Sequence, residues 1–195
     1  MKKYILAITG ASGSIIGIRL LDELARDSEV HLVISNAALQ VIFSETGIDW
    51  LRNARTDIER KLNTDKVFFY NDSELGAPIA SGSFKTDGMF IVPCSMKTLS
   101  AVASGYANNL IERAADVMIK EGRPLLLSPR EMPLSAIHLE NMLKLARIGV
   151  RIVPPVPAFY HKPQTVEEMV DFIVGKILDS FNIENNIFKR WGGDS

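Results

Sequence analysis

The chain has 195 residues, 47% of them apolar, and a formal net charge of −1. That composition suits one soluble globular domain with a full core, and the near-zero charge argues against nucleic acid or an anionic membrane as partner. The single cysteine, Cys94, excludes an internal disulfide and suits a reducing cytosol, and no apolar stretch nears the roughly 20 residues needed to span a bilayer.

The apolar run after Lys2 and Lys3 breaks at Gly10 and leads into charged sequence, unlike a signal peptide. Within it, Tyr4–Thr9 reads as a strand buried on both faces. It stops at Gly10, Ala11, Ser12 and Gly13, small residues that permit a sharp turn and the close approach of a ligand. From Ile15 the spacing becomes helical, with Ile15, Ile18, Leu21 and Leu24 on one side and Arg19, Asp22 and Glu23 off it. A strand, a small-residue loop and a helix N-terminus make an anion site, so this unit is expected to hold a phosphate. Gly10, Gly13 and Gly17 do not fit G-x-G-x-x-G, and no P-loop lysine follows. The string TGASGSIIG is similar to the nicotinamide-binding turn of short-chain dehydrogenases, but its last glycine falls one residue late. The next strand ends at Ser35 where an acidic residue would bind ribose, and no Tyr-x-x-x-Lys pair occurs. Taken alone, the loop leaves a mononucleotide and a dinucleotide both open.

Val30–Ile34 reads as a second buried strand and Asn36–Thr46 as a helix. Trp50–Lys66, polar and mixed in charge, reads as a surface helix with loops, and Val67–Tyr70 as a strand. Asn71–Ser83 is rich in Gly, Pro, Ser and Ala and reads as an irregular excursion, of the long kind that often carries function. Met89–Pro93 is a core strand before a helix at Leu99–Gly105, and Asn109–Glu121 is a further helix. Leu125–Leu127 reads as a strand, Ser135–Ile148 as a helix, Ile152–Val153 as a short strand and Val166–Phe181 as the closing helix. Alternating strands and helices predict a single α/β domain, three-layered and doubly wound around a mostly parallel, Rossmann-like sheet. Ligands of such folds sit beyond the carboxyl ends of the strands. Gly10–Gly13, Ser35–Asn36, Pro93–Thr98, Ser128–Glu131 and Pro154–Tyr160 should therefore line one site.

Several motifs then occur together and in order: TGASG, ASGS at Ala80–Ser83, PCSMKTLSAVASG at Pro93–Gly105 and NNLIERAADVMIKE at Asn108–Glu121. PLLLSPRE at Pro124–Glu131, SAIHLENMLKLARIG at Ser135–Gly149 and PAFYHKPQ at Pro157–Gln164 complete the set. In these the chain resembles the UbiX-type flavin prenyltransferases, long described as aromatic-acid decarboxylases, from Lys3 to Gly192. The resemblance implies transfer of a dimethylallyl group to reduced FMN, with dimethylallyl monophosphate as donor and without a metal. The product is a prenylated flavin for a partner UbiD-type decarboxylase. It also implies a flavoprotein fold shared with the phosphopantothenoylcysteine decarboxylases, and a homododecamer whose sites form where subunits meet.

By the same resemblance, Gly10, Ala11, Ser12, Ser35, Ser95, Met96, Lys97, Thr98 and Arg130 match FMN contacts. Ser12 is expected near flavin N5, and Glu45 matches a glutamate that manages the N5 proton. Arg113, Lys120, Arg130, Glu131, Tyr160 and Lys176 match positions that hold the dimethylallyl phosphate, with Glu131 as an acid–base partner. Departure of phosphate needs cations around the developing charge, which Arg meets with a planar fork and Lys with a point charge. Each residue also has a structural reading. Ser95 and Thr98 suit an N-cap, Glu45 and Lys176 a solvated helix face, and Tyr160 a partly buried loop position. Arg113 suits an ion pair with Glu112 or Asp116. Cys94, at the end of an apolar strand, reads as an inert small hydrophobe, His138 as structural and Trp191 as a packing residue at a subunit boundary. His31, His138 and His161 lack metal-ligand spacing with Cys94 or each other. One departure from the family is the loop Ser73-Glu74-Leu75-Gly76, which is one residue longer and lacks an aromatic there; either Tyr160 or an aromatic of a neighbouring subunit substitutes, or the loop differs. Two rivals stay open: a flavin-dependent decarboxylase on the same fold, and a non-catalytic FMN carrier.

Overall fold

A computed structural model of the chain describes residues 1–51, 54–62 and 64–191. Arg52, Asn53 and Asn63, within the stretch expected as a surface helix with loops, and Gly192, at the end of the family resemblance, lie outside the described residues. The described residues hold six strands: β1 (Lys2–Ile8), β2 (Ser28–Ile34), β3 (Val67–Asn71), β4 (Gly88–Cys94), β5 (Leu125–Pro129) and β6 (Arg151–Ile152). They pair in parallel throughout, in the order β3-β2-β1-β4-β5-β6. The helices are α1 (Ser14–Asp27), α2 (Asn36–Thr46), α3 (Ala54–Leu62), α4 (Met96–Ser104), α5 (Leu110–Lys120), α6 (Ala136–Arg147) and α7 (Val166–Asp179).

The sheet separates two apolar layers. Leu6, Ile8, Leu32, Ile34 and Phe90 face α1, α2, α3 and α7, while Ile5, Ala7, Val33, Met89, Ile91 and Leu127 face α4 and α5. Alternate residues of one strand thus enter opposite cores, which is why these strands read as unbroken apolar runs. Each fully buried Leu or Ile contributes about 1.5–3 kcal/mol relative to exposure. Side chains at Ser35, Ser95, Asn109, Ser135 and Thr165 start α2, α4, α5, α6 and α7 by accepting a backbone N–H in the first turn.

Several ends differ from the sequence-based expectation for physical reasons. β1 and β2 begin two residues before their apolar runs, because Lys2 pairs in register with Ser28 and Lys3 with Glu29. The latter two also form an ion pair at 2.7 Å. α4 begins three residues before its apolar run because Ser95 caps it. α3 is mostly charged, yet its Ile58 and the preceding Trp50 are buried in the same apolar cluster. α7 stops at Asp179, and Phe181 turns back onto Tyr4 and Phe90. No helix among the described residues is long and apolar enough to cross a membrane.

Candidate active site

In the order β3-β2-β1-β4-β5-β6 the winding reverses between β1 and β4, and doubly wound sheets bind ligands outside the carboxyl ends of the strands at such a point. One buried side chain fixes the two loops there. The Thr9 hydroxyl donates to the Pro93 carbonyl at 2.8 Å and accepts the Ser95 N–H at 2.8 Å. The Ser35 N–H donates to the Ile8 carbonyl at 3.1 Å, which holds the β2 loop beside them. The Arg130 N–H donates to the Cys94 carbonyl at 3.1 Å and adds the β5 loop. Three of the five strand-end stretches expected to line one site, with Thr9 immediately before a fourth, are therefore tied to neighbouring strands at one end of the sheet. Thr9 was not among the sequence candidates. A polar residue at the end of an otherwise apolar strand was the signal for it.

Ser35 and Ser95 have the same backbone geometry and the same role. Ser35 Oγ accepts the Ala38 N–H at 3.1 Å, and Ser95 Oγ accepts the Thr98 N–H at 3.3 Å with the Thr98 hydroxyl 3.1 Å away. Capping and ligand binding are compatible here, because a hydroxyl that accepts an N–H still has its own proton to donate. The remaining first-turn N–H groups of α2 and α4 point out of the helix ends. Met96 and Lys97 occupy the first turn of α4, with Lys97 exposed. Ser128, one residue before Pro129, adds a buried hydroxyl without a partner among the described residues. This donor-rich set fits a phosphate and the polar edge of a flavin.

The α1 N-terminus, expected to hold a phosphate, is occupied by a side chain of the protein itself. Both Glu45 carboxylate oxygens accept the Gly13 N–H at 3.1 Å. One of them also accepts the Ser14 N–H at 2.9 Å and the Ser14 hydroxyl at 2.7 Å. Burial disfavours the charge, but hydrogen bonds from the Ser12 and Ser14 hydroxyls and from the two N–H groups outweigh it and hold the carboxyl below its ordinary range. Glu45 is thus an anion lodged in the helix-end site, and Ser12 sits exposed on the same turn as Gly10 and Ala11. Burial instead pushes the Cys94 thiol up, so it stays protonated and inert.

The cations expected around the prenyl phosphate are spread over the chain. Arg130 and Glu131 lie exposed beyond β5, where Glu131 accepts the Met132 N–H at 3.1 Å. Tyr160 lies in the loop before α7, edge-on to Phe172 at 6.0 Å and to Trp191 at 4.9 Å. Lys176 is one turn beyond Phe172 on the same helix face, 3.9 Å from Asp179. Lys120 ends α5, five residues before β5 begins, so it lies near the amino ends of the strands. A five-residue strand spans roughly 16 Å. A single chain therefore does not bring Lys120 to Arg130. Arg113 forms an ion pair with Asp116 at 2.9 Å and donates to the Ala80 carbonyl at 3.1 Å, pinning the ASGS segment, while Glu112 accepts the Asn108 N–H instead. Leu75, in the loop without an aromatic, is half exposed. His138 completes the capping box of α6 with Ser135. Trp191 is largely exposed apart from its contact with Tyr160. Among the described residues no three His, Cys, Asp or Glu side chains gather as a metal cluster. A concavity of ≈ 560 Å³ lies away from these loops, at the amino ends of the strands, lined by Lys2, Tyr4, Asp87, Arg151 and Phe181 among others.

The model of the flavoprotein family matches residues 1–178. The flavin prenyltransferase UbiX of Methanocaldococcus jannaschii is 50% identical over 190 residues, covering 97% of this chain and 98% of that protein. The fold is similar to that of a dodecameric FMN-dependent UbiX-like decarboxylase from Escherichia coli O157:H7, with a TM-score of 0.89 and 48% identity over 98% of this chain and 100% of that one. It is equally similar to a UbiX protein crystallised with FMN and dimethylallyl pyrophosphate, with a TM-score of 0.90 and 45% identity over 100% of this chain and 99% of that one. By these similarities the chain belongs to the UbiX flavin prenyltransferase family of flavoproteins.

Proposed function

We propose that the protein, as one domain over its whole length, transfers a dimethylallyl group from dimethylallyl monophosphate to N5 and then C6 of reduced FMN. The product serves a UbiD-type decarboxylase. The observation that carries this reading is the convergence at the β1/β4 switch point of three strand-end loops, two of them ending in serine-capped helix N-termini. Kinship over nearly the whole chain supports it.

Ser35, Ser95 and Thr98, with the N–H groups behind them, would hold the FMN phosphate. Gly10, Ala11, Ser12, Met96, Lys97 and Arg130 would border the flavin, which supplies the nucleophilic nitrogen and carbon. Joining the donor's C1 to N5 breaks the C1–O bond, whose electron pair leaves with the phosphate, and releases the N5 proton. Ser12 and Glu45 stand ready for that proton as a hydroxyl backed by an ionised carboxylate. Ring closure adds one proton to the alkene and removes one from C6, so no electrons enter or leave; Glu131 and the departed phosphate exchange these protons. Arg130, Tyr160 and Lys176 would bind the donor's phosphate, and its departure needs no metal when such cations surround it. Arg113, tied to Ala80, would act there by ordering the ASGS segment as well as by its charge.

Lys120 reaches such a site from a neighbouring copy. α6 supports an assembly: it buries Leu145 but leaves Ile137, Leu139 and Leu143 at least half exposed, beside Met132 at 87% exposure. Leu139 and Leu143 one turn apart on this helix, with Ile137 and Met132 exposed nearer Arg130 and Glu131, suit contacts between copies, in a dodecamer like that of the E. coli relative. A neighbouring copy, or Tyr160, would also supply the aromatic absent from the Ser73–Gly76 loop. With its single buried cysteine the protein works in the cytoplasm.

Anaerobic incubation with reduced FMN and dimethylallyl monophosphate should give a flavin heavier by one isoprene unit, read by mass spectrometry, with the diphosphate as a parallel arm. Unmodified flavin from folded, flavin-loaded protein in both arms refutes the reading. Release of CO₂ from phosphopantothenoylcysteine would instead establish the decarboxylase alternative.

A further inference from the structure

The chain beyond α7 doubles back along that helix. Phe188 lies where Gly175 has no side chain; an added Cβ would stand only 2.1 Å from the Phe188 ring. Phe188 also meets Phe172 edge-on at 5.3 Å. Asn185 donates to Asp179 at 3.0 Å. Arg190 then closes the segment with a two-pronged pair to Asp179, both bonds at 2.8 Å, while its guanidinium lies over Phe188 at 4.8 Å. The next residue is Trp191, whose ring meets Tyr160 edge-on at 4.9 Å. Tyr160 is therefore held between Phe172 on α7 and Trp191 on the returning segment, with His161 stacked on Phe172 at 5.3 Å. Both ring nitrogens of His161 are buried without a hydrogen-bond partner among the described residues, so the imidazole serves this cluster as a packing surface. The carboxylate that anchors Arg190 also faces Lys176 at 3.9 Å. With both its oxygens engaged by Arg190, it leaves the Lys176 ammonium outside hydrogen-bond distance and able to serve another anion.

We propose that Asp179 and Arg190 are positioning residues for prenyl transfer: their pair seats residues 182–191 in the Gly175 notch, so that Trp191 fixes Tyr160 and Lys176 stays available to the donor's phosphate. This rests on the reading of Tyr160 and Lys176 as phosphate ligands. Neither Asp179 nor Arg190 touches the flavin loops at the switch point, so the two substrates should respond differently to their loss.

The test uses the full-length protein with Arg190→Ala, Asp179→Asn and the conservative Arg190→Lys. FMN affinity is measured by fluorescence titration, KM and kcat with dimethylallyl monophosphate, and seating of the tail by the rate of tryptic cleavage after Lys189, read by mass spectrometry. An exposed ion pair contributes little to global stability, so these variants should fold. In Arg190→Ala and Asp179→Asn, cleavage should accelerate and KM for the donor should rise roughly tenfold at unchanged FMN affinity. Arg190→Lys should recover part of both. Faster cleavage with an unchanged KM would reduce the pair to a tail anchor and overturn the inference, as would an equal loss of FMN affinity. Tyr160→Phe and Lys176→Ala serve as the control: if neither moves KM while wild type still prenylates the flavin, the phosphate-ligand reading has failed and the positioning role falls with it.

Discussion

Thr9 and Ser95 are joined across the switch point of the sheet. The Thr9 hydroxyl accepts the Ser95 N–H and donates to the Pro93 carbonyl, each at 2.8 Å and away from water. Replacing Thr9 by Val keeps the shape and removes both bonds. The Ser95 N–H and the Pro93 carbonyl would then lose partners inside the fold, a loss of about 1–3 kcal/mol. Because Ser95 caps α4, FMN affinity should fall as well. Urea denaturation and a flavin titration of Thr9→Val check both; unchanged flavin affinity would separate the α4 N-terminus from the flavin site.

Glu45 at the α1 N-terminus gives a pH dependence of defined sign. Its carboxyl is held below the ordinary range in the folded protein, so its contribution is complete above the unfolded value and is lost as pH falls through the folded one. Glu45→Gln removes the charge and leaves one acceptor oxygen where two now serve Gly13 and Ser14. It should cost about 1–2 kcal/mol at neutral pH. The stability curves of wild type and variant should converge below the ordinary carboxylate range, as read by chemical denaturation across that pH span. A constant gap down to strongly acid pH would mean that shape rather than charge carries the effect.

The strands were legible because both faces of each are covered, which makes Leu32–Ile34 or Phe90–Val92 unbroken apolar runs. The same feature hid strand order and register, since runs apolar on both faces fit several pairings equally. The loops at Ser35 and Ser95 were legible as hydroxyls at strand ends, and both proved to be caps. The partner at the α1 N-terminus was not legible. Glu45 is 31 residues from Ser14 and reads locally as a charge at the end of a helix, and only packing of α2 beside α1 brings it there. The distance between Lys120 and Arg130 was hidden in the same way. They are ten residues apart, yet a whole strand lies between them.

Gly17 sets how closely α1 approaches the sheet. A Cβ there would stand 2.3 Å from the Val92 carbonyl oxygen, a backbone atom in the central strand β4. Two effects of Gly17→Ala oppose each other. Helix propensity favours Ala by about 1 kcal/mol, while forced overpacking costs typically about 1–3 kcal/mol or more. The oxygen cannot swing aside as a flexible side chain would, so the second should win. The variant is expected to melt several degrees below wild type by differential scanning calorimetry, at about 2–4 °C per kcal/mol for a chain of this size. A rise in melting temperature would show that α1 can lift from β4 at little cost.

Lys120 and Arg130 offer the sharpest test of a site shared between copies. Lys120 lies toward the amino ends of the strands and Arg130 beyond the carboxyl end of β5, both exposed and neither in an ion pair among the described residues. If both neutralise the same departing phosphate, each must come from a different chain. Lys120→Ala and Arg130→Ala should then each lower prenylation by about 10²-fold or more, as loss of one charge-stabilising donor typically does. Mixed assemblies made by co-expressing the two variants behave differently. A site that takes Arg130 from a Lys120→Ala chain and Lys120 from an Arg130→Ala chain is intact, and random mixing of closed oligomers makes about one site in four of this kind. Activity per site should therefore recover to about a quarter of wild type, far above either variant alone. Mixing the separately purified variants without subunit exchange should recover nothing. Recovery no better than the mean of the two variants would place both cations within one chain's site, or Lys120 outside it.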